Sequence, residues 1–144
     1  LLDVNVLIAL LDEDHEHHKI AMKWFYTPGR QWAICPFTEA GLLRHMTRPK
    51  IGYMSMLEAT AMVVRLAQQP GYHYQSISAD WHTLCGRFFK RLFGHKQITD
   101  AYLLGLAVQE DLILATFDKA ILHLAGEHSN HVLILSDSRH SLHD

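Results

Sequence analysis

Cysteine is scarce in this chain, with 2 in 144 residues, and Cys35 and Cys85 lie too far apart to form a CxxC unit. That excludes a disulfide-stapled scaffold, and the two thiols read as reduced, buried small side chains. Proline is also sparse, at 4 residues, and no Gly/Ser/Pro-rich tract, internal repeat or charge run divides the sequence. The expectation is therefore one domain over residues 1–144, long enough to bury its own core. Uninterrupted apolar runs stop short of the roughly 20 residues that a membrane-spanning helix needs. No secretory leader precedes the first apolar segment, so a cytoplasmic protein without a membrane anchor is expected. An excess of positive charge is missing as well: Lys and Arg number 13 against 15 Asp and Glu, a formal net charge of −2. This argues against a surface coated for bulk nucleic-acid binding.

What the chain does have is acids in apolar company. Glu39 is followed by Leu42, Leu43 and Met46; Asp100 by Leu103, Leu104, Ala107 and Val108; Asp118 by Ile121, Leu122 and Ala125. Residues three, four and seven apart share a helix face, so each acid is predicted on the side turned toward the core. At the N-terminus, Leu1, Leu2, Val4, Val6, Leu7 and Ile8 read as a strand buried on both faces, with Asp3 and Asn5 on one side of it. An ionised carboxylate out of water is strongly unfavourable unless it is paired or binds a cation. Other acids have plainer explanations. Ser55-Met56-Leu57-Glu58 is a capping box, and Asp12, Glu13, Asp14 and Glu16 form a solvated run at a helix start.

The remaining elements follow in alternation. Helices are predicted for residues 15–26, from Pro36 through Glu39, for 55–68, from an Asp80 cap to near Gly94, from a Thr99 cap through Asp100, and briefly after Asp118. Strands are predicted for residues 32–35, 72–77, 112–116 and 132–135. Strands alternating with helices imply an α/β fold with a parallel central sheet flanked by helices. In such sheets ligands bind beyond the carboxyl ends of the strands, where Glu39 and Asp118 both fall. Taken alone, Asp118 is equally well explained as an N-cap.

Two basic clusters flank the acids: Arg44, His45, Arg48 and Lys50 after Glu39, and Arg87, Lys90, Arg91, His95 and Lys96 before Asp100. Each alone reads as a solvated helix face, but beside core-facing acids Arg44, Arg48, Arg87, Lys90 and Arg91 become candidate phosphate-binding residues. Histidine is abundant, at 12 residues, yet His15, His17 and His18 lack partners at a zinc-site spacing and receive no metal role. His140 and His143 are expected to be solvated.

The stretches Leu1-Leu2-Asp3-Val4-Asn5-Val6-Leu7-Ile8-Ala9-Leu10, Thr38-Glu39-Ala40, Ile98-Thr99-Asp100-Ala101-Tyr102-Leu103-Leu104 and Ala115-Thr116-Phe117-Asp118 resemble, in order, the four acidic motifs of PIN-domain ribonucleases. The likeness is closest to the VapC toxins of bacterial type II toxin–antitoxin pairs, and it runs along essentially the whole chain. It implies a metal-dependent endoribonuclease that holds Mg²⁺, or Mn²⁺ in its place, on Asp3, Glu39, Asp100 and Asp118, with Asn5 and Thr116 as neighbouring polar groups. It further implies a transfer-RNA or ribosomal-RNA loop as substrate, a VapB-type antitoxin that places a basic side chain in the acidic cleft, and a homodimer.

Chemistry agrees with that implication. Converging carboxylates repel one another, and a hard cation with oxygen ligands removes the penalty. Rival readings remain at this stage. A phosphatase of the haloacid dehalogenase type would use Asp3 as nucleophile, but it would carry a second Asp where this chain has Asn5. A flap-cleaving DNA nuclease shares the metal chemistry in a larger chain with helical arches. A non-catalytic module could use the acids to recognise an Arg-rich peptide.

Overall fold

A computed structural model describes residues 1–51 and 53–137; His140 and His143 lie outside them. Seven α-helices occur among the described residues: α1 (Val4–Leu11), α2 (His18–Phe25), α3 (Pro36–Thr47), α4 (Met56–Ala67), α5 (Trp81–Cys85), α6 (Ile98–Gln109) and α7 (Ile121–Ala125). Four short strands accompany them: β1 (Trp32–Ile34), β2 (Tyr72–Tyr74), β3 (Leu114–Thr116) and β4 (Val132–Ile134). β1 pairs with β2 and β3 with β4, both in parallel. The expected mixed α/β architecture with parallel strands is what the chain adopts.

The N-terminal segment differs from its sequence reading. Only Leu2 behaves as a strand residue, donating its N–H to the Ala33 carbonyl on one side and forming a parallel bridge to Ala115 on the other. It therefore ties the β1–β2 pair to the β3–β4 pair. From Val4 onward the aliphatic run is helical, and Asp3 is the N-cap of α1, its Oδ1 accepting the Val4 N–H at 2.7 Å. A continuous apolar run fits a buried helix as well as a buried strand, and here Val6, Leu7 and Leu10 recur at helical spacing on the buried side. The strand disfavours Asp, whereas a helix start favours it.

The sheet divides the interior in two. Leu2, Ile34 and Ala115 face a core with Val6, Leu7, Trp32 and Leu42, while their neighbours Leu1, Cys35 and Leu114 face a second core built on Leu84, Phe88, Leu103, Leu104 and Ile121. Such alternation is the period-two signature of strands buried on both faces. Each fully buried large aliphatic or aromatic side chain contributes roughly 1.5–3 kcal/mol, so these two layers hold the helices in place. Gly105 of α6 lets the Leu84 backbone of α5 approach so closely that any side chain there would strike its carbonyl. Cys35 and Cys85 are both free and buried, and burial pushes the Cys85 thiol up to about 11.

Local signals were mostly obeyed. Ser55 accepts the Glu58 N–H and Glu58 Oε2 accepts the Ser55 N–H, closing the expected capping box, and Asp80 accepts the Thr83 N–H. Thr99 does not cap its helix. A 3₁₀ turn over His95–Gln97 runs straight into α6, which begins at Ile98, so the start needs no side-chain cap. The aromatic helix ends early too, continuing past Cys85 as a 3₁₀ segment over Gly86–Arg91. Among the described residues, no helix is long and apolar enough to cross a membrane.

Candidate active site

Asp3 and Thr116 meet where α1 begins and β3 ends. Asp3 is 7% exposed and Thr116 fully buried, so every polar atom they carry needs a partner. The Thr116 hydroxyl donates to Asp3 Oδ2 at 2.8 Å and accepts from Asn5 Nδ2 at 3.0 Å and from the Asp118 N–H at 3.1 Å. Asn5 Oδ1 in turn accepts the Phe117 N–H at 3.3 Å. Asn5 and Asp3 are thus neighbours as expected, but through the first turn of α1 and the hydroxyl of β3 rather than through one strand face.

Asp100 lies in the first turn of α6, half-buried, and its stripe partners Leu103, Leu104 and Ala107 are all core residues. Burial first, then the charges of Asp3 and Asp118, push its carboxyl up to about 6. The Asp3 carboxyl is also held above the usual carboxylate range, by burial and further by Asp118, against the lowering pull of Thr116 and the Val4 amide. Asp118 is exposed, and its Oδ1 accepts the Ala120 N–H. That bond forms a local turn just ahead of α7, whose own N-cap is Ala120.

The charge of Asp118 acts on Asp3, and the charges of both act on Asp100; the fourth candidate is Glu39. It lies in the first turn of α3, which Pro36 opens and the reciprocal Cys35–Thr38 hydrogen bonding fixes. Its charge acts on Tyr72 and Tyr74 of β2, raising both phenols beyond what their desolvation does. Among the described residues no three His, Cys, Asp or Glu side chains converge closely enough to hold an ion as they stand. The donor chemistry nonetheless fits a hard divalent cation: the acids offer only oxygen, two have raised pKa values, and among the described residues no Lys or Arg forms an ion pair with them.

Arg44, Arg48, Arg87 and Lys90 are exposed. Arg91 is not part of that array: it is half-buried, and its guanidinium packs against Gly126, which adopts a φ of 55°. A 3₁₀ segment explains the split: with three residues per turn Arg87 and Lys90 share one edge, while Arg91 follows the buried Phe88 inward. Sequence reasoning overlooked Phe117, which stacks on His17 with centroids 4.5 Å apart, next to the acids. Its position between Thr116 and Asp118 was the available signal.

Comparison with known proteins agrees with this geometry. Residues 1–127 match the PIN domain family. The chain is 37% identical to ribonuclease VapC38 of Mycobacterium tuberculosis, over 88% of this chain and 90% of that protein. It is 39% identical to ribonuclease VapC44 of that organism, over 84% and 87% of the two chains, and 36% identical to ribonuclease VapC29, over 88% and 91%. With its acids at the start of α1, the start of α6 and the end of β3, and with this similarity along most of its length, the chain belongs to the PIN-domain family, within its VapC group.

Proposed function

We propose that this protein is a metal-dependent endoribonuclease, the toxin of a type II toxin–antitoxin pair, hydrolysing phosphodiester bonds in structured RNA. The observation that carries the reading is that the charge of Asp118 acts on Asp3 and the charges of both act on Asp100, with no Lys or Arg among the described residues forming an ion pair with these acids. The relatives named as ribonucleases support it. Mg²⁺ is the expected occupant and Mn²⁺ a substitute, with Asp3 and Asp100 as principal ligands, Asp118 binding directly or through water, and Glu39 as ligand or water-orienting base. Such an ion supplies Lewis acidity toward a phosphate oxygen and an attacking water.

The chain's own residues do the rest. Thr116 and the Val4 amide hold the Asp3 carboxylate in one orientation, and Asn5 braces Thr116. Asp100, its carboxyl pushed up to about 6, would be protonated without a cation only below that pH, and a bound cation would favour its charged form. Arg44, Arg48, Arg87 and Lys90 meet the phosphates of the RNA strand. The same reading takes in a VapB-type antitoxin presenting a guanidinium to the acids, a homodimer, a single domain over 1–144 and a cytoplasmic location.

Labelled structured RNA, single-stranded DNA and a simple phosphate ester incubated with the purified protein test this directly. RNA cleavage is expected, stopped by EDTA and restored by Mg²⁺ or Mn²⁺. Asp3→Asn and Asp100→Asn should each lower the rate by at least roughly 100-fold, more than loss of an outer partner of a metal site costs. Cleavage that survives chelation, or variants as active as wild type at sub-saturating metal, would defeat the assignment.

A further inference from the structure

A cavity of about 470 Å³ opens beside the acids, walled by Ile8 and Leu11 of α1 and Leu42 and Met46 of α3. His15 and His45 add polar groups to its lining. Asn5 belongs to both places: it lines this cavity, and its carboxamide bonds Thr116 and Phe117 at the acidic site. A ladder of rings runs along the same route. His15 and His17 have centroids 5.7 Å apart, His17 is stacked on Phe117 at 4.5 Å and 15°, and Phe117 stands between Thr116 and Asp118.

The size falls within the roughly 300–1,000 Å³ of pockets that take small ligands. The chemistry narrows the occupant. A nucleobase is flat and apolar on its faces and polar along its edge, and this cavity combines aliphatic walls with hydrogen-bonding side chains. His15 Nδ1 lies 3.1 Å from the His17 backbone N–H and accepts it, so the neutral ring carries its proton on Nε2 and keeps a donor for a ligand. The Asp12 carboxylate also lines the cavity, accepting the Asp14 N–H on Oδ1 and leaving Oδ2 for an exocyclic amine. A negative charge there repels phosphate from the interior. The cations lie outside instead: Arg44, Arg48 and Lys50 are exposed, and among the described residues no acid forms an ion pair with them. Charge thus favours the base inside and the backbone outside.

We propose that this cavity receives one unstacked nucleobase of the RNA strand, adjacent to the phosphate that lies at the acids, and so sets which nucleotide flanks the cut. The assignment rests on the ribonuclease reading above and gives it a specificity pocket. His15 and His45 read the base edge, and the ladder of His17 and Phe117 supports the neighbouring base by stacking.

A short single-stranded RNA is compared with copies that carry one abasic nucleotide stepped along its length, by fluorescence anisotropy in EDTA so that nothing is cut. Wild-type protein is set against Ile51→Ala and His45→Ala, both at the cavity, with Ile51 half-exposed and melting curves recorded to confirm folding. In wild type one abasic position should weaken binding by about tenfold, the scale of a lost base stack. In the variants the intact strand should bind several-fold more weakly, and the sensitivity to that position should shrink. Wild type that binds all strands alike or none, or variants that keep the wild-type profile or lose affinity equally at every position, would overturn the proposal. Variants that bind every strand as wild type does but lose affinity for a protein partner would give the cavity to that partner instead. Adding excess Mg²⁺, with a stem-loop of the same sequence beside the single strand, separates the two readings: a position-specific binding loss with neither RNA cleaved keeps the pocket and discards the ribonuclease.

Discussion

The Thr116 hydroxyl has one proton and two lone pairs, and each has a use: the proton goes to Asp3, and the lone pairs take Asn5 and the Asp118 amide. An apolar replacement would leave three partners unmet, that of Asp3 in a buried position, so a hydroxyl here is a geometric requirement of the site. Asp100 is where the same site strains against the fold. Its carboxyl titrates near 6 in the folded protein, above its ordinary value of 3.8. As pH rises through that interval the unfolded chain loses this proton first, so the metal-free fold loses stability as pH rises from 4 to about 6 and does not regain it above. Asp100→Asn should therefore raise the melting temperature by a few degrees at pH 7.5 in EDTA and leave it nearly unchanged at pH 4. A variant no more stable than wild type at the higher pH would contradict that placement of charge.

At the scale of elements, the 3₁₀ segment Gly86–Arg91 decides which cations are free. Replacing Arg87 and Lys90 by Gln should flatten the salt dependence of RNA binding by up to about 1.4 in log–log slope, at ~0.7 per phosphate on a single strand, without moving the cut site. Arg91→Gln should leave the slope unchanged and lower thermal stability, since its guanidinium covers Gly126. Equal slopes for all three proteins would return this segment to an ordinary solvated surface. The same segment marks a limit of sequence reading. Trp81 to Leu92 carries a helical apolar stripe, but nothing local announces the tightening after Cys85, which depends on Phe88 packing against the second core. Features set by neighbours in the chain were legible, as the Ser55–Glu58 box and the Asp80 cap show. The run after Asp3 is helical where the sequence reads as strand, because an aliphatic stretch broken only by Asn5 has too little period to read, although the acid itself stands out as needing partners. The position of Glu39 against Tyr72 and Tyr74 was beyond reach, since it comes from the pairing of β1 with β2 across 40 residues of register (Trp32 with Tyr72).

The whole molecule presents its acids at graded depth: Asp118 exposed, Asp100 half-buried and Asp3 buried. A phosphate reaches the deepest of them only if the backbone bends inward, which a rigid A-form helix resists and a loop with splayed bases permits. A stem-loop should therefore be cut at least about tenfold faster than a perfect duplex of the same sequence at matched salt, with the linearised loop in between; equal rates on duplex and loop would rule this out. The long span of that site in sequence also has a consequence in time. Asp3 is held by Thr116, 113 residues later in the chain, and Leu2 is clasped between Ala33 and Ala115, so residues made early wait for ones made much later before they have partners. A growing chain that has not yet released β3 has no orienting hydroxyl for Asp3 and no strand to hold Leu2 from that side. A nuclease emerging among the RNAs of the translation machinery thus remains unarmed until β3 has been made.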